Sequence, residues 1–226
     1  EDLGFMTAVE AVRRIRAKEI SPVELTDAVL RRAEIVQNTC NAFITISDEV
    51  ARAEARRAEE SVMAGDDLGP LHGVPFTVKD LVNTAGVRTT FGSHAFADNV
   101  PKSDSISIAR LRDAGAVLIG KTTTPEFGHK PMTEAPLFGR TLNPWDLTRT
   151  SGGSSGGAGV AAATGIGPLH VGTDGGGSTR IPAAACGVVG MKQTLGRVPH
   201  DMSSDSFGCM SFIGPITRTV EDCGLM

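Results

Sequence analysis

The sequence predicts an α/β protein, a sheet flanked by helices on both faces, with a helical N-terminal segment. Three observations predict it. Up to about residue 68, apolar positions recur at helical spacing behind good capping residues. After Gly69-Pro70 the texture changes, and short apolar runs of strand length alternate with helical patterns and glycine-rich loops. At 226 residues, with 40% apolar and 21% charged side chains, the chain can bury a sizeable core. The expected organisation is residues 1–68 as a helical segment packing on the core and residues 69–226 as the first part of an α/β domain.

The elements follow in order. Thr7 and Glu10 form a capping-box pattern before Val12 and Ile15. Ser21, Pro22 and Glu24 open a second helix, with serine as cap and proline at the first helical position. Ala42 to Ile46 is rich in strand formers. A third helix is expected from Ser47 to about Met63, with Gly65 as its stop. Val74 to Val78 reads as a strand, Ser105 to Asp113 as a helix, and Ala116 to Ile119 as a buried strand. Gly156 to Thr164 reads as a small-residue helix and Leu169 to Val171 as another strand. A last helix starts near Thr217 and is cut off at Met226, so the C-terminal half of the domain is expected to be missing.

Composition excludes several classes. A net charge of -4 gives no electrostatic footprint for nucleic acid, and 4% aromatics without a tyrosine gives no stacking platform. No apolar run approaches the roughly 18 residues that span a bilayer. Glu1 to Phe5 is not a basic-then-apolar leader. Four scattered cysteines without a CxxC pair read as reduced thiols, so a cytoplasmic location is expected. The five histidines show no metal spacing, and neither metal nor cofactor is expected.

Three polar clusters sit at element ends. Lys79-Asp80 follows a strand, where a lysine is either a solvated charge or, once desolvated, a base. Ser151 to Gly157 is either a flexible Gly/Ser loop or a sharp turn feeding a helix N-terminus. Asp174 to Arg180 places three glycines before Ser178, leaving backbone N–H groups bare in the manner of an oxyanion hole.

Two motif matches compete. Gly115 to Thr122 fits the phosphate-loop pattern GxxxxGK[ST], but its variable residues are the most strand-like nearby, so Lys121 is expected to be structural. Gly152 to Gly156 fits the GxSxG elbow, with Asp174 or Asp201 and His200 as later triad members, yet no well-defined strand precedes it.

Together these segments resemble the amidase signature family. GGSSGG (152–157) followed by GTDGGGSTRIPA (172–183), with its two serines 24 positions apart, is similar to that family's hallmark. LHGVPFTVKD (71–80) looks like its lysine segment, and GKTTTPEFG, NPWD, CGVVGMK and GPITRTVED match further blocks across essentially the whole chain. The resemblance implies a mixed sheet and a Ser-Ser-Lys set: Ser178 as nucleophile, Ser154 as proton relay with a cis peptide bond to Gly153, and Lys79 as base. It implies an oxyanion hole from the N–H groups of Gly175, Gly176, Gly177 and Ser178. Ser155 and Thr173 would orient the serines, with Asp174 and Arg180 as structural partners.

Thr150-Ser151 and Thr179 depart from the family's usual residues without touching a catalytic atom. The implied activity is hydrolysis of a small-molecule amide, with no nucleic acid or membrane contact and room for a homodimer. The alternatives are the glutaminase subunit of a tRNA-dependent amidotransferase and, from another class, a catalytically incompetent fragment.

Overall fold

The computed structural model describes residues 2–201 and 209–226; Glu1, the first residue of the N-terminal pentapeptide, lies outside them. Helices α1 (Ala8–Arg16) and α2 (Pro22–Cys40) begin on the capping residues expected of them, whereas α3 (Asp48–Ala64) starts after Ser47 with no side-chain cap. Thr7 Oγ1 accepts the Glu10 N–H at 3.2 Å. Ser21 and Glu24 form a complete capping box, satisfying amides that the first helical turn leaves unpaired. Gly65 closes α3 in the left-handed conformation (φ 79°).

The main sheet has six strands: β1 (Phe43–Ile46), β2 (Pro75–Lys79), β3 (Val117–Thr122), β4 (Leu169–Asp174), β5 (Val189–Gly190) and β6 (Phe212–Thr217). Their order is β1-β3-β2-β4-β6-β5. The three central strands are parallel, while β1, β6 and β5 pair antiparallel, which makes the sheet mixed. Every residue of β2, β3 and β4 is buried, as parallel strands covered on both faces should be. The remaining helices are α4 (Ile106–Asp113), α5 (Gly156–Ala163), α6 (Arg180–Cys186) and α7 (Val220–Leu225). One core joins Ala11, Ile15, Leu25 and Val29 of the N-terminal helices to Phe76, Leu118, Val160 and Leu169.

Strand ends differ from the sequence expectation in one direction. Lys79 is the last residue of β2 rather than the residue after it. Strand β3 continues through Gly120-Lys121-Thr122, so the would-be phosphate loop is extended backbone inside the sheet. Strand β4 continues to Asp174. A strand does precede the GxSxG match: Asp146–Thr150 pairs with Leu142–Asn143. That pair is an outlying two-stranded sheet, so the elbow context is still not met.

Candidate active site

The central strands bring the expected polar clusters together at their C-terminal ends. Lys79, at the end of β2, has no exposed surface. Its Nζ lies 2.6 Å from Ser154 Oγ and 2.8 Å from Thr173 Oγ1. Burial holds its pKa well below the ordinary lysine value, against an opposing pull from Asp174. Burial thus shifts the balance toward the neutral amine, the form that can accept a proton from a neighbouring hydroxyl.

The Gly/Ser segment is a packed turn, with every residue from 151 to 157 buried. The Gly153–Ser154 peptide bond is cis. Thr133 clamps the turn from outside: its Oγ1 donates to Gly152 O at 2.9 Å and accepts from Gly156 N at 3.0 Å. At Gly157 a side chain would collide with the Ala42 carbonyl and Thr123, so close approach rather than mobility explains this glycine. A Cβ on Gly128 would stand 3.3 Å from Ser154 Oγ, which places the 125–128 turn directly over that hydroxyl.

Ser155 and Thr173 interlock. Ser155 Oγ donates to Thr173 O and accepts from Thr173 N, both at 3.2 Å. Thr173 therefore contacts Lys79 directly, a closer role than orienting the serines. Ser178 is half-buried and joins the cluster through its backbone, its carbonyl accepting from Ser155 N at 3.2 Å. Among the described residues, its hydroxyl makes no hydrogen bond to Ser154, so of the expected Lys79–Ser154–Ser178 chain the structure holds the first link.

Asp174 organises the loop that carries Ser178. Its buried carboxylate takes Arg180 Nη2 at 2.9 Å and Nε at 3.0 Å, together with the N–H groups of Gly177 at 2.7 Å and Thr179 at 3.1 Å. Burial alone would raise its pKa, but Arg180 and these amides overcome it and hold the carboxyl at about 2. One expectation is corrected here. The Gly177 N–H is committed to Asp174, because the left-handed turn at Gly177 (φ 112°) aims it inward. It is not a free oxyanion donor in this structure. Gly175 and Gly176 are exposed, and nothing lies within 4 Å of where a Gly176 side chain would begin.

Among the described residues, no histidine hydrogen-bonds to Lys79, Ser154 or Ser178, as the elbow rival would need. His200 Nε2 pairs with Ser211 Oγ at 3.0 Å, and Asp201 accepts from Ile106 N at 3.2 Å. His170 is buried in β4 between Thr77 Oγ1 (2.8 Å) and Gly167 O (3.2 Å), with burial and then the Arg218 charge holding its pKa at about 3. Among the described residues, no group of three or more His, Cys, Asp or Glu side chains is placed to hold a metal. Sequence reasoning missed Thr133 as a support for the Gly/Ser turn, since it lies in a loop whose composition carries no signal; Gly128 closes the matched GKTTTPEFG block, but nothing in that match pointed to Ser154.

Three comparisons bear on this arrangement. The sequence profile of the family described as Amidase matches residues 24–226. An acylamidase of Rhodococcus erythropolis is 43% identical over 226 residues, covering 100% of this chain and 47% of that protein. A glutamyl-tRNA(Gln) amidotransferase subunit from a Roseiflexus species is 45% identical over 230 residues, covering 99% of this chain and 46% of its own length. Among solved structures, a bacterial aryl acylamidase of the amidase signature family superposes with a TM-score of 0.93 at 36% identity, over 98% of this chain and 46% of that one. The chain thus spans about half the length of the curated relatives it matches.

Proposed function

The chain belongs to the Amidase family, and from that premise we propose that it hydrolyses a carboxylic amide to an acid and ammonia or an amine through an acyl-Ser178 intermediate. The observation that carries the reading is the fully buried Lys79 amine 2.6 Å from Ser154 Oγ. Neutral Lys79 takes the Ser154 proton as Ser154 Oγ takes that of Ser178. Ser178 Oγ then attacks the carbonyl carbon, forming the C–O bond and placing a negative charge on the carbonyl oxygen. With the Gly177 amide engaged, the N–H groups of Gly175, Gly176 and Ser178 are the donors for that oxyanion. Each donor of this kind is worth about 2.7–4 kcal/mol of barrier.

As the C–N bond breaks, the Lys79 ammonium returns the proton through Ser154 to the leaving nitrogen. Water, deprotonated by the same relay, then cleaves the acyl ester and releases the acid. The reading requires Ser178 Oγ to close on Ser154 Oγ when substrate is bound, and catalytic hydrogen bonds often tighten only in that complex.

Single alanine substitutions of Lys79, Ser154 and Ser178 in the full-length protein test the assignment by amide hydrolysis. Loss at all three is expected. Activity surviving without Ser178, but not without Ser154 and His200, supports the elbow arrangement instead. A second reading is favoured by the 45% identity to the amidotransferase relative: glutamine hydrolysis with ammonia passed to partner subunits. Glutaminase activity that depends on a co-purifying partner selects it, whereas partner-free turnover of simple amides selects the amidase.

A further inference from the structure

A second lysine, Lys121, is as fully buried as Lys79 and has no part in the proposed proton relay. It is paired in register with Val78, one residue before Lys79. Successive strand residues face opposite ways, so the two lysine stems leave opposite faces of the sheet. The Lys121 amino group is hydrogen-bonded to three neutral oxygens: Val82 O at 2.5 Å, Thr84 Oγ1 at 2.9 Å and Thr89 Oγ1 at 2.9 Å. All three acceptors lie on the segment that leaves β2 just after Lys79.

The segment leads back to both Lys79 and Ser154. The Val82 N–H donates to Lys79 O at 3.0 Å, so Lys121 holds one side of a turn whose other side holds Lys79. Asp80 is fixed beside it, its N–H on Thr122 O at 3.0 Å and its Oδ2 accepting from Thr90 N at 3.0 Å. Further along, Phe91 N donates to Asp80 O at 3.1 Å and Phe127 N to Phe91 O at 2.8 Å. Phe127 immediately precedes Gly128, which lies against Ser154 Oγ.

We propose that Lys121 is a positioning residue for the Lys79–Ser154 pair, its three-pronged grip on Val82, Thr84 and Thr89 fixing the segment whose backbone hydrogen bonds hold Lys79 and, through Phe91 and Phe127, the turn over Ser154. The inference rests on the proposed role of Lys79 as the base. Burying a lysine amine whose hydrogen-bond partners are all neutral is unfavourable for stability even with the Asp80 charge acting on it, whereas a compact amine bonded to three oxygens is well suited to fixing a loop in place.

The test uses the full-length protein with Lys121→Met, the double variant Thr84→Val/Thr89→Val, and the double variant Thr84→Ser/Thr89→Ser, which keeps both hydroxyls. Folding is checked by circular dichroism, and kcat, KM and the pH profile of kcat/KM are measured per folded molecule. Misplacing a reacting group by about 1 Å costs on the order of 100-fold. The expected result for Lys121→Met is therefore a kcat loss of about 10- to 100-fold with KM little changed.

The acid limb of the profile moves to higher pH, because a loosened Lys79 is better solvated and easier to protonate. The charged groups acting on Lys121 are Asp80, Asp104 and Arg112, and the one acting on Lys79 is Asp174. The Val pair is expected to lose activity in the same direction and the Ser pair to retain it. Folded Lys121→Met with wild-type kcat and pH profile overturns the proposal. Should that variant fail to fold, wild-type kcat and profile in the Val pair overturn it equally. Lys79→Ala, run alongside, separates the outcomes: if it stays active, the assignment of the base fails rather than the role of Lys121.

Discussion

Lys79 keeps no surface exposed and sits between two hydroxyls, and its chemistry follows from desolvation. Its lowered pKa fixes the direction of a pH effect. If Lys79 is the base proposed above, protonation removes it, so kcat/KM should fall as pH drops through the folded-state pKa of Lys79 and level off above it. Thr173→Val removes one of its two hydroxyl partners. A loss of about tenfold in kcat with the fold intact is expected, since such a hydrogen bond is worth about 1 kcal/mol or more.

Asp174 gives the opposite kind of signal, in stability. Its pKa is depressed to about 2 from 3.8, so its contribution is full above the unfolded value and is lost as pH falls through about 2. Asp174→Asn should flatten the acid limb of the unfolding curve between about pH 4 and pH 2. The meeting of Lys79 and Ser154 was legible through the family resemblance, because the spacing and flanking glycines that carry it are specific. The commitment of the Gly177 amide was not, because it depends on a φ of 112° that glycine permits without requiring.

At the scale of elements, helix starts were readable because caps are local chemistry. Ser21→Ala should cost about 1 kcal/mol in urea unfolding. Strand ends were not readable. Lys79, Lys121-Thr122 and Thr173-Asp174 are polar and look like loop, yet β2, β3 and β4 run through them because neighbouring strands pair and bury them. The glycine-rich start of α5 likewise looks flexible in sequence and is buried and closely packed. Gly157→Ala would press a methyl group into the Ala42 carbonyl and should destabilise by about 1–3 kcal/mol.

Strand β4 also carries a pH-sensitive element in His170. Its folded pKa of about 3 lies below the unfolded value of about 6.5, so stability should decline as pH falls from 6.5 toward 3. His170→Gln should blunt that decline in thermal unfolding followed across the window.

At the scale of the molecule, the two ends of the chain meet. The N–H groups of Ala8 and Val9, at the start of α1, donate to Asp222 Oδ1 at 2.8 Å and 3.2 Å. Arg218 reaches Met6 O at 2.9 Å and Gly167 O at 2.8 Å, tying the N-terminal segment to the turn before β4. The mixed sheet was anticipated through family resemblance, because alternating patterns give layers but not strand direction. Away from these ties, the Gly175-Gly176 turn is exposed next to half-buried Ser178 in the chain.

The central claim, that Ser178 is acylated with Lys79 as the ultimate base, is tested most directly by labelling the full-length protein with a fluorophosphonate and mapping the adduct by peptide mass spectrometry. One adduct is expected, on Ser178, formed more slowly as pH falls and lost in Lys79→Ala. An adduct on Ser154, or labelling of Ser178 that is unaffected by removal of Lys79, would contradict it.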